Sequence, residues 1–195
     1  MINMALTKAV LDGRKTQTRR FVPKEFFTLQ WDERDDTLVV ENEWGDFIDI
    51  RDTKFCMLKV GEIVAIAQSY HTIYDEFGLE TMDMLVTKLK DSKGFGNKMF
   101  VKAELMPYKI RITNVRIERL QDISDEDCLK EGIVKKWHAP ACRNYFYIPN
   151  VEVKSTKDVF DTPREAYASL IDKVGKKGDW ESNPYVFVYD FELIK

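Results

Sequence analysis

Apolar residues recur with a changing period along this chain, and each change predicts an element. Leu6, Ala9, Val10 and Leu11 form a short helical stripe that Gly13 is placed to end in a left-handed cap. "TLQWDERDDTLVVEN" and "WGDFIDIR" hold β-prone runs between polar turns and predict a hairpin or meander over 28–51. "VGEIVAIAQSY" predicts a buried strand entered through a turn at Gly61. In "YKIRITNVRIERL" the apolar positions run Ile110, Ile112 and then shift by one to Val115, Ile117, which predicts a β-bulge near Asn114. "SDEDCLKEG" predicts about two turns of helix, with Ser124 as N-cap, Asp127 completing a capping-box variant and Gly132 as terminator. "TPREAYASLIDKVG" is the strongest helix: Thr162 caps, Pro163 opens it, Glu165 closes the box, and Ala166, Tyr167, Leu170, Ile171 and Val174 form its apolar face. The closing "NPYVFVYDFELI" alternates Tyr185, Phe187, Tyr189, Phe191 and Leu193 with Val186, Val188, Asp190 and Glu192, a strand apolar on one face and increasingly polar on the other.

Strands therefore outnumber helices without a regular βαβ rhythm, and no GxGxxG or GxxxxGK loop is present. The expected class is α+β, mainly β: an antiparallel sheet curled into a small barrel, with three short helices around it. The 195 residues suit one domain, with irregular insertions at about 71–107 and 135–160. Composition adds little: 44% hydrophobic and 32% charged residues describe an ordinary globular chain. A net charge of -3 argues against coating nucleic acid by overall charge and leaves room for a local basic patch. Cys56, Cys128 and Cys142 are odd in number and far apart, so a disulfide framework is not expected and a reducing cytoplasm is. No apolar run is long enough for a secretion signal or a bilayer span. His138 and Cys142 have a chelating spacing but lack companions, so neither metal nor cofactor is expected.

The candidate chemistry sits in "DGRKTQTRRFVPK", residues 12–24, where five basic side chains gather after the first helix. A helix C-terminus favours cations, which accounts for Arg14 and Lys15. Arg19 and Arg20 lie beyond its last turn and point instead to an anionic or nucleobase ligand.

Several blocks in this order resemble ASCH-domain proteins, specifically a long branch associated with phages and mobile elements. "AVLDGRKTQTRR" is similar to the opening motif of that family, "GEIVAIAQSY" to its buried strand, "RITNVRIERLQDISDEDCLKEGI" to its strand–helix unit and "GDWESNPYVFVYDFELI" to its closing strand. The resemblance covers about half of the chain. It implies a PUA-like barrel with a cleft beside the first motif, and an RNA or modified-nucleoside ligand. Some relatives remove the acetyl group from N4-acetylcytidine, and a ribonuclease activity is also attributed to the family. The amidohydrolases' Lys, Thr and Glu fall on Lys15, Thr18 and Glu131, and an accompanying arginine falls on Arg20. This chain is nearly twice as long as those enzymes, and its additions bear on the substrate.

The chemistry of that trio is coherent. Thr18 offers a hydroxyl, Lys15 a base if burial and neighbouring arginines depress its pKa, and Glu131 an acid for the leaving nitrogen. Lys15 and Thr18 share a side only in a turn or helix, so the trio predicts a turn at 14–18. Arg14, Arg19 and Arg20 would line the ligand cleft. Trp180 would stack a base, and Asn183 would read a base edge or close a turn. Trp137, His138, Tyr145 and Tyr147 lie in the second insertion, where exposed aromatics would mark a lid or binding loop. Three functions follow: an RNA- or nucleoside-binding cleft, an amidohydrolase on an acylated nucleobase, and a phage-related protein that binds a protein partner without chemistry.

Overall fold

The computed structural model describes residues 7–23, 29–34, 36–42, 44–77, 89–149, 155 and 158–194. Within them the protein is mixed α+β and mainly β. Strands β1 (Gln17–Phe21), β5 (Ile63–Ala65), β6 (Lys109–Arg119) and β9 (Tyr185–Ile194) form a four-stranded antiparallel sheet, ordered β1–β9–β6–β5, that curls into a half-barrel. Strands β2 (Leu29–Asp32), β3 (Thr37–Glu41) and β4 (Phe47–Asp49) make the expected meander, ordered β2–β3–β4. A separate hairpin joins β7 (Val134–His138) to β8 (Arg143–Tyr147). The helices are α1 (Thr7–Leu11), α2 (Tyr70–Phe77), α3 (Asp125–Lys130) and α4 (Pro163–Val174).

β9 organises the molecule because both of its faces are apolar. Phe187, Tyr189 and Phe191 point into the half-barrel, where they pack with Val10, Leu38, Ile50, Ile66, Ile110, Ile112 and Val115. Val186 and Val188 point the other way, into a second core with Leu120, Ile123, Cys128, Phe146, Tyr167 and Leu170. The outer face of β9 is thus apolar at Val186 and Val188, where α3 and α4 cover it, and turns polar at Asp190 and the exposed Glu192, as its sequence predicts. Burying each such large side chain contributes about 1.5–3 kcal/mol, and α4 supplies two of them in Tyr167 and Leu170.

The phase shift in β6 is a bulge: Ile112 pairs with Phe191 and Asn114 with Asp190, leaving Thr113 without a partner on β9. Thr162 and Glu165 form the reciprocal capping box of α4, with Pro163 at its start. Ser124 caps α3 by accepting from the Asp127 amide. The carboxylate of Asp127 does not complete a box, however; it turns to Arg116, Arg19 and Lys130.

Two expectations change. The helices described number four rather than three, because the 71–107 excursion opens with α2; its residues 78–88 lie outside the described residues, as does Leu6. The 135–160 segment is not irregular at its start, since it contains most of the β7–β8 hairpin; residues 150–154 and 156–157 lie outside the described residues.

Candidate functional site

Gly13, at φ +71°, ends α1 and lets the Arg14 and Lys15 amides both donate to Ala9 O. The chain is then pinned at Thr16, whose amide donates to Lys130 O and whose carbonyl accepts from Phe191 N. This clamp delivers the Lys15 side chain to the end of α3. There its ammonium donates to Glu131 O at 2.8 Å and forms an ion pair with Glu131 Oε2.

The register of β1, β9 and β6 builds the rest. Gln17, Asp190 and Asn114 form one row across the outer face of the sheet, Arg19, Val188 and Arg116 the next, and Phe21, Val186 and Glu118 a third. Gln17 Nε2 donates to Asp190 Oδ1 at 2.6 Å, and Arg116 Nη1 donates to Asp190 Oδ2 at 2.8 Å. Arg19 donates to Gln17 Oε1 (2.5 Å), Glu118 Oε1 (2.6 Å), Glu131 Oε1 (3.1 Å) and Asp127 Oδ2 (3.3 Å). Arg116 Nη2 reaches the same Asp127 oxygen at 2.6 Å, and Lys130 reaches its Oδ1 at 2.9 Å. Lys15, Arg19, Arg116 and Lys130 thus meet Glu118, Asp127, Glu131 and Asp190 in a charge-balanced cluster between the sheet and α3.

Burial sets the electrostatics. Desolvation pushes the Lys15 pKa below its ordinary value despite the attraction of Glu131, and Arg20 and Arg19 push the same way. Burial also opposes the Arg19 charge, but Glu131, Tyr167 and Glu118 outweigh it and hold its pKa above the ordinary value. Burial alone would raise Asp127; Lys130, Arg116 and Arg19 hold it low instead.

Lys15 and Glu131 therefore converge, and Arg19 joins them. Thr18 does not stand on that face. It shares a row with Tyr189 and Val115 on the inner side of the sheet, because residues 17–21 are extended and only 14–16 form a loop. The turn expected at 14–18 thus stops short of Thr18. Its hydroxyl is engaged by no hydrogen bond among the described residues. Arg14 is exposed and donates to Asp12 at 3.1 Å. Arg20, half-buried, donates to Arg19 O. Trp180 packs edge-on against Tyr167 with the Arg164 guanidinium over its ring. Asn183, at φ +41°, accepts from the Gln121 amide and closes the turn before β9. Trp180 packs against the second core, and neither it nor Asn183 has a contact with Lys15 among the described residues.

Sequence reasoning missed Gln17, Arg116, Glu118, Asp127, Lys130 and Asp190. The bulge was the available signal, since it decides which β6 side chains face α3. The convergence is also drier than expected: Lys15, Thr18, Arg19 and Glu131 are 4%, 3%, 7% and 4% exposed. A cavity of about 680 Å³ lies elsewhere, lined by α1 residues Thr7, Lys8 and Leu11 with Gln68, Thr72 and Lys98. Among the described residues no group of three or more His, Cys, Asp or Glu side chains could hold a metal ion, and no helix is long and apolar enough to cross a membrane.

Comparison with protein-family models, curated proteins and solved structures found no match to any of them.

Proposed function

We propose that the chain is an ASCH-type, PUA-like protein whose ligand is RNA or a modified nucleoside. More particularly, it acts as an amidohydrolase that removes an acyl group from the exocyclic nitrogen of a nucleobase such as N4-acetylcytidine. The observation that carries this is the buried pairing of Lys15 with Glu131, 116 residues away, with burial favouring the neutral amine.

In this reaction the Thr18 hydroxyl adds to the acyl carbon, and its proton is relayed through one water to neutral Lys15 on the other face of β1. The proton passes through the Glu131 carboxyl to the exocyclic nitrogen as the C–N bond breaks, releasing the free nucleobase amine. Water then adds to the Thr18 ester and gives its proton to Lys15, which returns a proton to the Thr18 oxygen as the ester C–O bond breaks, and the carboxylic acid departs. Thr18 enters on its unengaged hydroxyl; standing on the inner face, it requires the acyl group to come in through the mouth of the half-barrel.

The test is release of cytidine from N4-acetylcytidine by the purified protein, followed by chromatography. Loss of one proton-transfer group costs roughly 10²–10⁴-fold in rate, so Lys15→Met and Glu131→Gln are expected to fall by at least about a hundredfold. Thr18→Ala is expected to abolish turnover with an unchanged circular-dichroism spectrum. No release from a panel of N-acyl nucleosides ends the hydrolase reading. The separation of Thr18 from Lys15 across β1 favours a second reading, a nucleoside-binding protein without turnover; it predicts cytidine binding by calorimetry and no product.

A further inference from the structure

The segment 133–148, "IVKKWHAPACRNYFYI", contains no Asp or Glu, in a chain whose acidic residues outnumber its basic ones by 33 to 30. It forms the β7–β8 hairpin, which is anchored through the second core and a bridge to Phe160. Phe146 and Ile148 enter the second core, and Phe146 exchanges two backbone hydrogen bonds with Phe160 at 2.9 and 2.8 Å. Lys135, Lys136, Trp137 and His138 are all exposed, as are Arg143 and Asn144.

The register sorts these side chains by face. Val134 pairs with Tyr147, Lys136 with Tyr145 and His138 with Arg143, so these six share the face opposite Phe146. Along it Tyr147, Tyr145 and His138 form a row, with ring centroids 6.1 Å and then 6.2 Å apart. The Lys136 ammonium stands 6.0 Å from the Tyr147 ring, and Arg143 pairs with Asp161 at 2.8 Å. Both members of that pair are more than half exposed, 63% and 70%, so it is weak and open to exchange. Aromatic rings that anchor a hairpin turn inward, as Phe146 does; this row turns outward and lies beside cations.

We infer that this face of the hairpin is a docking surface for single-stranded nucleic acid, with bases stacked on Tyr147, Tyr145 and His138 and phosphates meeting Lys136 and Arg143. Flat rings accept any base, and the neighbouring cations meet the backbone that links them. The stripe spans roughly 13 Å, four residue steps, and suits a few nucleotides. A duplex keeps its base faces stacked internally and has nothing to lay on the rings. A hairpin that carries no acidic side chain of its own is likewise ill matched to a basic protein partner. This surface is independent of the Lys15–Glu131 chemistry.

Fluorescence anisotropy of labelled 12-residue RNA and DNA oligonucleotides, single-stranded and as blunt duplexes, tests the inference at low salt with the full chain. Single strands are expected to bind and duplexes not. RNA alone, DNA alone or both support the surface and identify its source. With two phosphate contacts, log K should fall against log salt with a slope of about -1.4. The charge-reversed Lys136→Glu/Arg143→Glu protein should lose that slope and at least about tenfold in affinity. Tyr145→Leu, which keeps apolar volume in a half-buried position, should weaken binding by roughly fivefold or more. Thermal melting establishes that each variant is folded. No binding by any single strand, equal binding of duplex, or unchanged affinity in both folded variants overturns the inference. Release of cytidine from N4-acetylcytidine is measured on the same wild-type protein, so failure of the deacylation reading and failure of this surface are read separately.

Discussion

At the scale of single residues, Lys15 and Glu131 show what burial does to a charge pair. Each is almost wholly out of water, and desolvating two such ions costs several kcal/mol apiece unless the geometry returns it. Here it is returned by the ion pair itself, by the Glu131 carbonyl on the same ammonium, and by Arg19 on the second carboxylate oxygen. Removing one partner is therefore worse than removing both. Glu131→Gln leaves Lys15 and Arg19 short of their counter-charge and should destabilise the fold by about 3–5 kcal/mol in urea unfolding. Lys15→Met/Glu131→Gln should cost less than the sum of its single changes, because the charge left unmatched in Glu131→Gln is gone. Strict additivity would mean that the pair carries no coupling. Arg14→Ala, on an exposed side chain, should stay within about 0.5 kcal/mol of wild type.

At the scale of elements, the bulge in β6 decides where the site is. Ile110 and Ile112 face the inner core, and strict alternation would send Asn114, Arg116 and Glu118 in after them. Thr113 is the extra residue that prevents this: Val115 goes inward, while Arg116 and Glu118 go outward to Arg19 and Asp127. Deleting Thr113 should therefore remove the bulge without changing faces, Asn114 outward and Val115 inward in unbroken alternation, and leave a chain that still melts cooperatively. Thr113→Ala, at an exposed position, should fold and melt close to wild type. A deletion protein that does not melt cooperatively would show that the fold needs the bend at the bulge and not only the facing of Val115. This bulge was legible in the sequence because apolar periodicity records which face a residue takes, and so were both helix caps and the meander. The β7–β8 hairpin was not. Only Phe146 of its ten strand side chains is buried, so no alternation of apolar and polar positions was written into them. Of the site, the meeting of Lys15 with Glu131 was legible through motif order. Thr18's opposite orientation was hidden, because it depends on β1 beginning at Gln17 and not two residues later.

At the scale of the whole molecule, the half-barrel and its helical cover meet across groups that titrate in opposite senses. Lys15 has a folded pKa below the 10.5 of an exposed lysine. As pH rises toward 10.5, the folded protein has already released a proton that the unfolded chain still holds, so stability increases with pH through that window and is lost as pH falls through it. Cys128, in the core beneath α3, behaves the other way: burial raises its thiol from 9.0 to about 12. Above pH 9 the unfolded chain surrenders that proton first, and stability falls. The buried Tyr167 and Tyr189 hydroxyls, also raised from 10.0, add to the fall one unit later. Wild-type unfolding midpoints in urea should therefore climb on the alkaline side until Cys128 offsets Lys15 above pH 9, and fall once the tyrosines titrate in the unfolded chain above pH 10. Lys15→Met should remove the climb and keep the fall; Cys128→Ala should extend the climb until the tyrosines titrate near 10. The quantity to compare is the shape of each curve, since both substitutions also change absolute stability through packing. A Lys15→Met curve running parallel to wild type from pH 7 to 10 would place the Lys15 ammonium in a solvated setting, and would remove the neutral amine on which the deacylation chemistry depends.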